Sequence, residues 1–151
     1  MLVYEANLLV YKGTGSPHVT MRAKRVSDRA GIASAQEHVL DINREMLHGV
    51  AVYRITGRID GLTSPDLESA VGSAIDGGTP RIILDMRAVN YVSSAGLRSI
   101  LSTAKRAKTA EGGLAVFGLQ PAVNEVFVAS GFHNALPVVA DESEARSRLG
   151  A

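Results

Sequence analysis

The sequence predicts a mixed α/β domain, and three observations predict it. Short apolar runs rich in Val, Ile and Leu recur along the chain, amphipathic stripes at helical spacing lie between them, and Gly or Pro residues punctuate the joints. At 151 residues the chain is one domain's length, enough to bury a substantial core. Aromatics make up only 5 % and Trp is absent, so that core must come from Val, Ile, Leu and Ala. Such cores suit helices packed on a parallel or mixed sheet, whose inner strands read as β-branched runs.

The elements follow in order from His38. Val39-Leu40-Asp41-Ile42 is a short strand, and Gly49 to Thr56, with Val50, Val52, Tyr53 and Ile55, is a second that pairs with it as a hairpin. Thr63-Ser64-Pro65-Asp66 opens a helix, with Ser64 as N-cap and Pro65 at the first helical position. Leu67, Ala70, Val71, Ala74 and Ile75 form its apolar stripe, and Gly77-Gly78 and Pro80 stop it. Arg81-Ile82-Ile83-Leu84-Asp85 has the continuous apolar character of a strand buried on both faces. A second helix runs from about Ala95 to Glu111, carrying Lys105, Arg106 and Lys108 in its later turns, where they complement the dipole. Leu114-Ala115-Val116-Phe117 is another buried strand, and Pro121 to Ser130 a third helix. Leu136-Pro137-Val138-Val139 reads as an edge strand, where Pro is tolerated. Asp141-Glu142-Ser143-Glu144-Ala145 begins a last helix that turns basic at Arg146 and Arg148. The order is β-β-α-β-α-β-α-β-α.

Residues 1 to about 36 differ from the rest. A short apolar stretch is followed by the turn-rich Lys12-Gly13-Thr14-Gly15-Ser16-Pro17 and then by a basic stretch containing Arg22, Lys24, Arg25 and Arg29. The segment reads as an N-terminal extension, loosely ordered or docked on a partner chain, with Met21 as an alternative start. Residues 37–151 form the domain proper.

Composition narrows the function classes. With no cysteine, disulfides, thiolate metal sites and thiol nucleophiles are all excluded. His18, His38, His48 and His133 are scattered without a metal-ligand spacing, so the expectation is no metal and no cofactor. The net charge of +1 supplies no strong field for nucleic acid. The apolar run from Ala6 to Tyr11 is far shorter than a membrane span and lacks a basic leader before it. A cytoplasmic protein is expected. Gly-x-Ser-x-Gly, Walker and Gly-x-Gly-x-x-Gly signatures do not occur, so the chain is expected not to be an enzyme.

One junction stands out. In Asp85-Met86-Arg87-Ala88-Val89-Asn90-Tyr91-Val92-Ser93-Ser94-Ala95-Gly96-Leu97-Arg98, a buried strand leads to two serines at a helix start. Unpaired N–H groups and the positive end of the helix dipole favour an added phosphate there. Gly96 leaves room for a partner's backbone. A serine before a helix is also an ordinary N-cap, and on the residues alone that reading stands beside the functional one.

Three segments in register resemble the STAS domain of bacterial anti-sigma factor antagonists, over residues 38 to 149. They are Gly57-Arg58-Ile59-Asp60-Gly61-Leu62-Thr63-Ser64, then Leu84-Asp85 with Tyr91-Val92-Ser93-Ser94-Ala95-Gly96-Leu97, then Phe117-Gly118-Leu119-Gln120-Pro121 with Val126-Phe127 and Ser130-Gly131-Phe132. The resemblance implies a STAS-like mixed β-sheet with helices mainly on one side. It places Ser94 on the family's phosphoacceptor, with Ser93 the alternative, Asp60 on the acidic residue near it, and Gly96 on the motif glycine. Asp60, Ser93, Ser94, Gly96 and Arg98 would then make the partner-binding surface. The chain departs from the motif in one respect: the acidic residue before the phosphoacceptor is Ser93 here, and the serine after it is Ala95.

The resemblance implies a phosphorylation-switched antagonist that sequesters an anti-sigma factor of the serine-kinase type, with a PP2C-type phosphatase as the reversing partner. A homodimer is left open. The alternative is a STAS scaffold or sensor subunit in a stress-signalling or transport-associated complex, and a nucleotide-binding protein is a third class. The extension itself is testable. Deleting residues 1–36 should leave a cooperative thermal transition near its original midpoint, and a collapse of folding would show that the extension belongs to the core or to an obligatory dimer.

Overall fold

A computed structural model of the chain describes the backbone of residues 2–9, 18–25 and 40–150, and side chains from residue 40 to 150. Its described strands form one sheet in chain order: β1 (Leu2–Leu9), β2 (His18–Arg25), β3 (Leu40–Leu47), β4 (Val50–Ile59), β5 (Arg81–Val92), β6 (Gly113–Phe117) and β7 (Val138–Val139). Four helices connect or follow them: α1 (Ser64–Asp76), α2 (Ser94–Thr109), α3 (Pro121–Ala129) and α4 (Glu142–Arg148). The pairs from β1 to β4 are antiparallel and those from β4 to β7 are parallel, so the sheet is mixed.

From β3 onward the element order is the one expected, and β5 lies between its parallel neighbours β4 and β6. Other features depart from expectation. Two strands, β1 and β2, occur within the N-terminal extension; they pair with each other, and β2 pairs with β3. The rest of that extension lies outside the described residues. The N-cap of α1 is Thr63, so Ser64 and Pro65 are its first two helical residues. β5 continues to Val92 instead of ending at Asp85, with register shifts against β4 that let it follow β4 to its end. A short 3-10 turn, Phe132–Asn134, precedes β7.

Local rules account for these elements. His48 and Gly49 both have positive φ, 52° and 75°, and join β3 to β4 as a two-residue turn whose twist matches the strands. Alternation along the strands then divides the core. Ile82 and Leu84 on β5, with Ala51 and Tyr53 on β4, pack in one cluster with Leu67 and Val71 of α1, Ile100 of α2 and Phe127 of α3. Ile83 on β5, with Val50 and Val52 on β4, packs in a second cluster with Ala145 of α4. The sheet is therefore covered by α1, α2 and α3 on one face and by α4 on the other.

An ionic lattice ties α4 down. Arg54 of β4 donates to Asp85 at 3.1 Å, to Glu45 of β3 at 2.7 Å and to Glu142 of α4 at 3.1 Å. Arg87 donates to Asp85 at 3.0 and 2.8 Å, and Arg146 to Glu142 at 2.9 Å. Burial alone would raise the Asp85 carboxyl, but hydrogen bonds from the Arg87 side chain and amide and from Arg54 outweigh it and hold the group below its ordinary range. Glu142 is depressed likewise: burial raises it, and Arg146 and Arg54 more than compensate.

The sign of the pH effect follows. Both folded-state values lie below their ordinary values of 3.8 and 4.5, so the stabilisation is complete above those values and is lost as pH falls toward and through the depressed folded values. Arg54→Met should cost about 2 kcal/mol at neutral pH. It should also flatten the loss of melting temperature between about pH 5 and about pH 3 relative to the unsubstituted chain. Parallel acid profiles, followed by circular dichroism, would show that Arg54 does not hold these carboxylates.

Candidate functional site

β4 and β5 run parallel and finish together, with Ile59 opposite Val92. Their ends deliver two segments side by side: the loop from Asp60 to Thr63, and the start of α2. The Ser93 amide donates to the Ile59 carbonyl at 2.9 Å, fastening one to the other. At Gly61 there is ordinary van der Waals room against Ala95.

The two serines play different parts. Ser93 is the N-cap of α2, with extended backbone, and its hydroxyl accepts the Gly96 amide at 3.1 Å. Ser94 is the first helical residue and is exposed. Among the described residues its hydroxyl has no hydrogen-bond partner. It stands at the positive end of a 16-residue helix, beside amides that lack helical acceptors.

Gly96 needs a correction. It is buried, and a Cβ there would lie 2.5 Å from the Ile59 carbonyl oxygen and 2.9 Å from Ile59 Cγ2. The space that the glycine leaves is filled by β4 of its own chain, so it lets the helix approach the sheet and offers no surface to a partner.

Asp60 is buried at the mouth of the neighbouring loop. Its carboxylate accepts the amides of Leu62 at 2.9 Å and Thr63 at 3.1 Å, and its own amide donates to the Thr63 hydroxyl at 2.9 Å. That hydroxyl donates in turn to the Arg58 carbonyl at 2.7 Å. Asp60 thus shapes the β4–α1 loop, and its carbonyl accepts the Ser64 amide at the start of α1. Arg98 is exposed, four residues after Ser94 and so on the same helical face.

The sequence reading missed the rim of this surface. Arg58 lies over the Tyr91 ring at 4.3 Å from its centroid, a cation–π contact between residues paired in register across β4 and β5. Tyr91 and Leu62 are large apolar side chains left exposed. The signal was present in Tyr91, an aromatic three residues before an exposed serine. Its meaning depended on β5 reaching Val92.

Around the ends of β4 and β5 the described residues thus expose the Ser94 hydroxyl, the apolar side chains of Leu62 and Tyr91, and Arg58 and Arg98. No group of three His, Cys, Asp or Glu residues able to hold a metal occurs among the described residues. None of their helices is long and apolar enough to cross a membrane. The arrangement suits docking and covalent modification of a hydroxyl.

The STAS domain family profile matches residues 41–145. The chain belongs to the STAS domain family. Among curated relatives it is similar to BtrV of Bordetella bronchiseptica, named as an anti-sigma factor antagonist, at 33 % identity over 66 % of this chain and 85 % of that protein. Among solved structures it is similar to an anti-sigma factor antagonist from Mycobacterium paratuberculosis, with TM-score 0.67 and 25 % identity over 74 % of this chain and 95 % of that one. It also shares its fold with the phosphorylated form of SpoIIAA, a Bacillus cell fate determinant, with TM-score 0.56 and 23 % identity over 71 % of this chain and 97 % of that one.

The division of labour between the serines can be measured. Ser93→Ala in this STAS domain removes a helix cap and should cost about 1 kcal/mol, lowering the melting temperature by a few degrees. Ser94→Ala should leave it within about one degree, because no hydrogen bond is lost. Equal effects of the two substitutions would contradict the assignment of Ser93 as the cap.

Proposed function

We propose that this STAS domain protein is an anti-sigma factor antagonist, a binding module without catalytic residues, switched by phosphorylation of Ser94. The observation that carries the switch is the contrast at the start of α2. Ser93 is engaged in capping, whereas the Ser94 hydroxyl is exposed and without a partner among the described residues. Phosphorylating Ser93 would place the added group on the oxygen that already accepts the Gly96 amide, where it is less accessible than the exposed Ser94 hydroxyl. Phosphorylating Ser94 leaves the helix intact and puts charge where the dipole and the exposed Arg98 favour it.

In the unmodified state, the surface of Leu62, Tyr91, Ser94 and Arg98 docks an anti-sigma factor of the serine-kinase type, so that a sigma factor is released and transcription changes. Asp60 and Gly96 support that surface from beneath. A phosphate adds about −1.5 to −2 charges at neutral pH, enough to break a close interface by repulsion and desolvation. The kinase is the anti-sigma partner itself, a PP2C-type phosphatase reverses the step, and the system operates in the cytoplasm. Residues 37–151 carry this function, and residues 1–36 stand as an extension to it. The names of the relatives favour this reading over a scaffold or sensor subunit.

Ser94→Ala should fold, resist phosphorylation by the cognate kinase and still bind the anti-sigma factor. Ser94→Asp should weaken that binding at least about tenfold, although one carboxylate imitates phosphate poorly. Mass spectrometry of kinase-treated protein locates the phosphate on Ser94 or on Ser93. The switch is refuted if neither serine accepts phosphate and Ser94→Asp binds normally.

A further inference from the structure

A second feature lies at the other end of α2, away from Ser94. A cavity of about 500 Å³ opens where the last turns of α2 pass the start of β6, a size typical of small-molecule sites. Its walls are aliphatic, with Leu101 and Ala104 from α2, Leu114 from β6, Leu136 from the segment before β7 and Leu149 after α4. Around its mouth stand three cations, Lys105, Lys108 and Arg148, all exposed.

These charges lack a strong internal counterion. Lys105 and Lys108 make no ion pair or side-chain hydrogen bond among the described residues, and Arg148 has only a 3.9 Å approach to Glu144. Among the described residues no acidic side chain and no aromatic ring lines the cavity. Without a ring, a nucleobase would have no platform to stack on, which argues against a nucleotide. The combination of a well that is mainly apolar, with some backbone exposed at Gly112 and Gly113, and a cationic mouth fits a hydrocarbon chain ending in an anion. The C-terminal end of α2 disfavours an anion by its dipole, so the head group must sit outward, at the flexible lysine ends, with the chain directed inward.

We propose that this cavity binds an aliphatic carboxylate of the medium-chain fatty-acid class. The chain lies against Leu101, Leu114 and Leu149, and Lys105, Lys108 and Arg148 hold the carboxylate. The site is separate from the docking surface, and its test does not depend on phosphorylation or on an anti-sigma partner.

The full-length, isotope-labelled protein is titrated with decanoate, octanoate, hexanoate and decanol, each below its aggregation threshold, and followed by amide NMR. Decanoate should produce saturable shifts at Ala104, Leu114 and Leu149, and affinity should rise about three- to fourfold per added methylene. Decanol should bind more weakly than decanoate. The double variant Lys105→Gln/Lys108→Gln, in which both positions are exposed, should still melt cooperatively within a few degrees of the unsubstituted chain, the lost dipole complement being small, and lose at least about tenfold in decanoate affinity. Absence of saturable shifts, shifts centred on the Ser94 end of α2, equal binding of decanol, or an unchanged affinity in the double variant would each overturn the assignment.

Discussion

The approach of α2 to the end of β4 determines the geometry around Ser94. A glycine at position 96 lets the helix backbone come so close to Ile59 that a single methyl group would overlap its carbonyl. That carbonyl also receives the Ser93 amide. The two constraints together place the first turn of α2 in a fixed position beside the Asp60 loop. Asp60 then holds its own loop by accepting two amides, so neither side of the junction can move freely against the other. A surface built this way can change its charge without changing its shape, which is what a modification switch needs.

The rest of the fold keeps that junction in register. β4 and β5 run parallel, and the 12-residue β5 finishes with the 10-residue β4 at Ile59 and Val92 because irregular steps take up its two extra residues. A parallel pair needs cover on both faces. The face covered by α1, α2 and α3 relies on large apolar packing, whereas α4 is short and brings little more than Ala145 and Leu149. Arg54 makes up part of the difference by joining β3, β5 and α4 through three carboxylates. Surface ion pairs taken singly contribute little, but a shared, partly buried arginine meeting three acids is a network in which removal of one member strands the others.

Most of this fold could be read from residues 38 to 149, because its signals are local. Periodicity marked α1 and α2, Gly and Pro marked their ends, and the unbroken Ile82-Ile83-Leu84 run marked a strand with both faces buried. What was not legible depended on distant partners. The extension of β5 to Val92 comes from pairing with β4, and no pattern within Arg87–Val92 announces it. β1 and β2 join the sheet only through the pairing of β2 with β3, a partner beyond the extension that the local sequence does not announce. At the site, Ser93 and Ser94 were visible as a pair, but their roles were not. Deciding between cap and free hydroxyl requires knowing which residue begins the helix, and a one-residue shift exchanges the two answers. Gly96 stands out in the sequence for its lack of a side chain and is expected to leave room for a partner, whereas the neighbour that uses that space is Ile59 of the same chain.

The substitution of serine for the family's acidic residue at position 93 takes on a physical meaning in this light. Aspartate and serine are both strong N-cap residues, so the exchange preserves the hydrogen bond to the Gly96 amide and with it the start of α2. What it removes is a negative charge directly beside Ser94. With an acidic cap, a phosphate on the next residue would meet like charge, whereas here it meets a neutral hydroxyl, the helix dipole and, one turn on, Arg98. A phosphate placed on Ser94 would therefore be less strained electrostatically than one beside an acidic cap. The same neutrality removes a carboxylate that a kinase could recognise, so the exchange moves the balance between making and holding the phosphate without touching the fold.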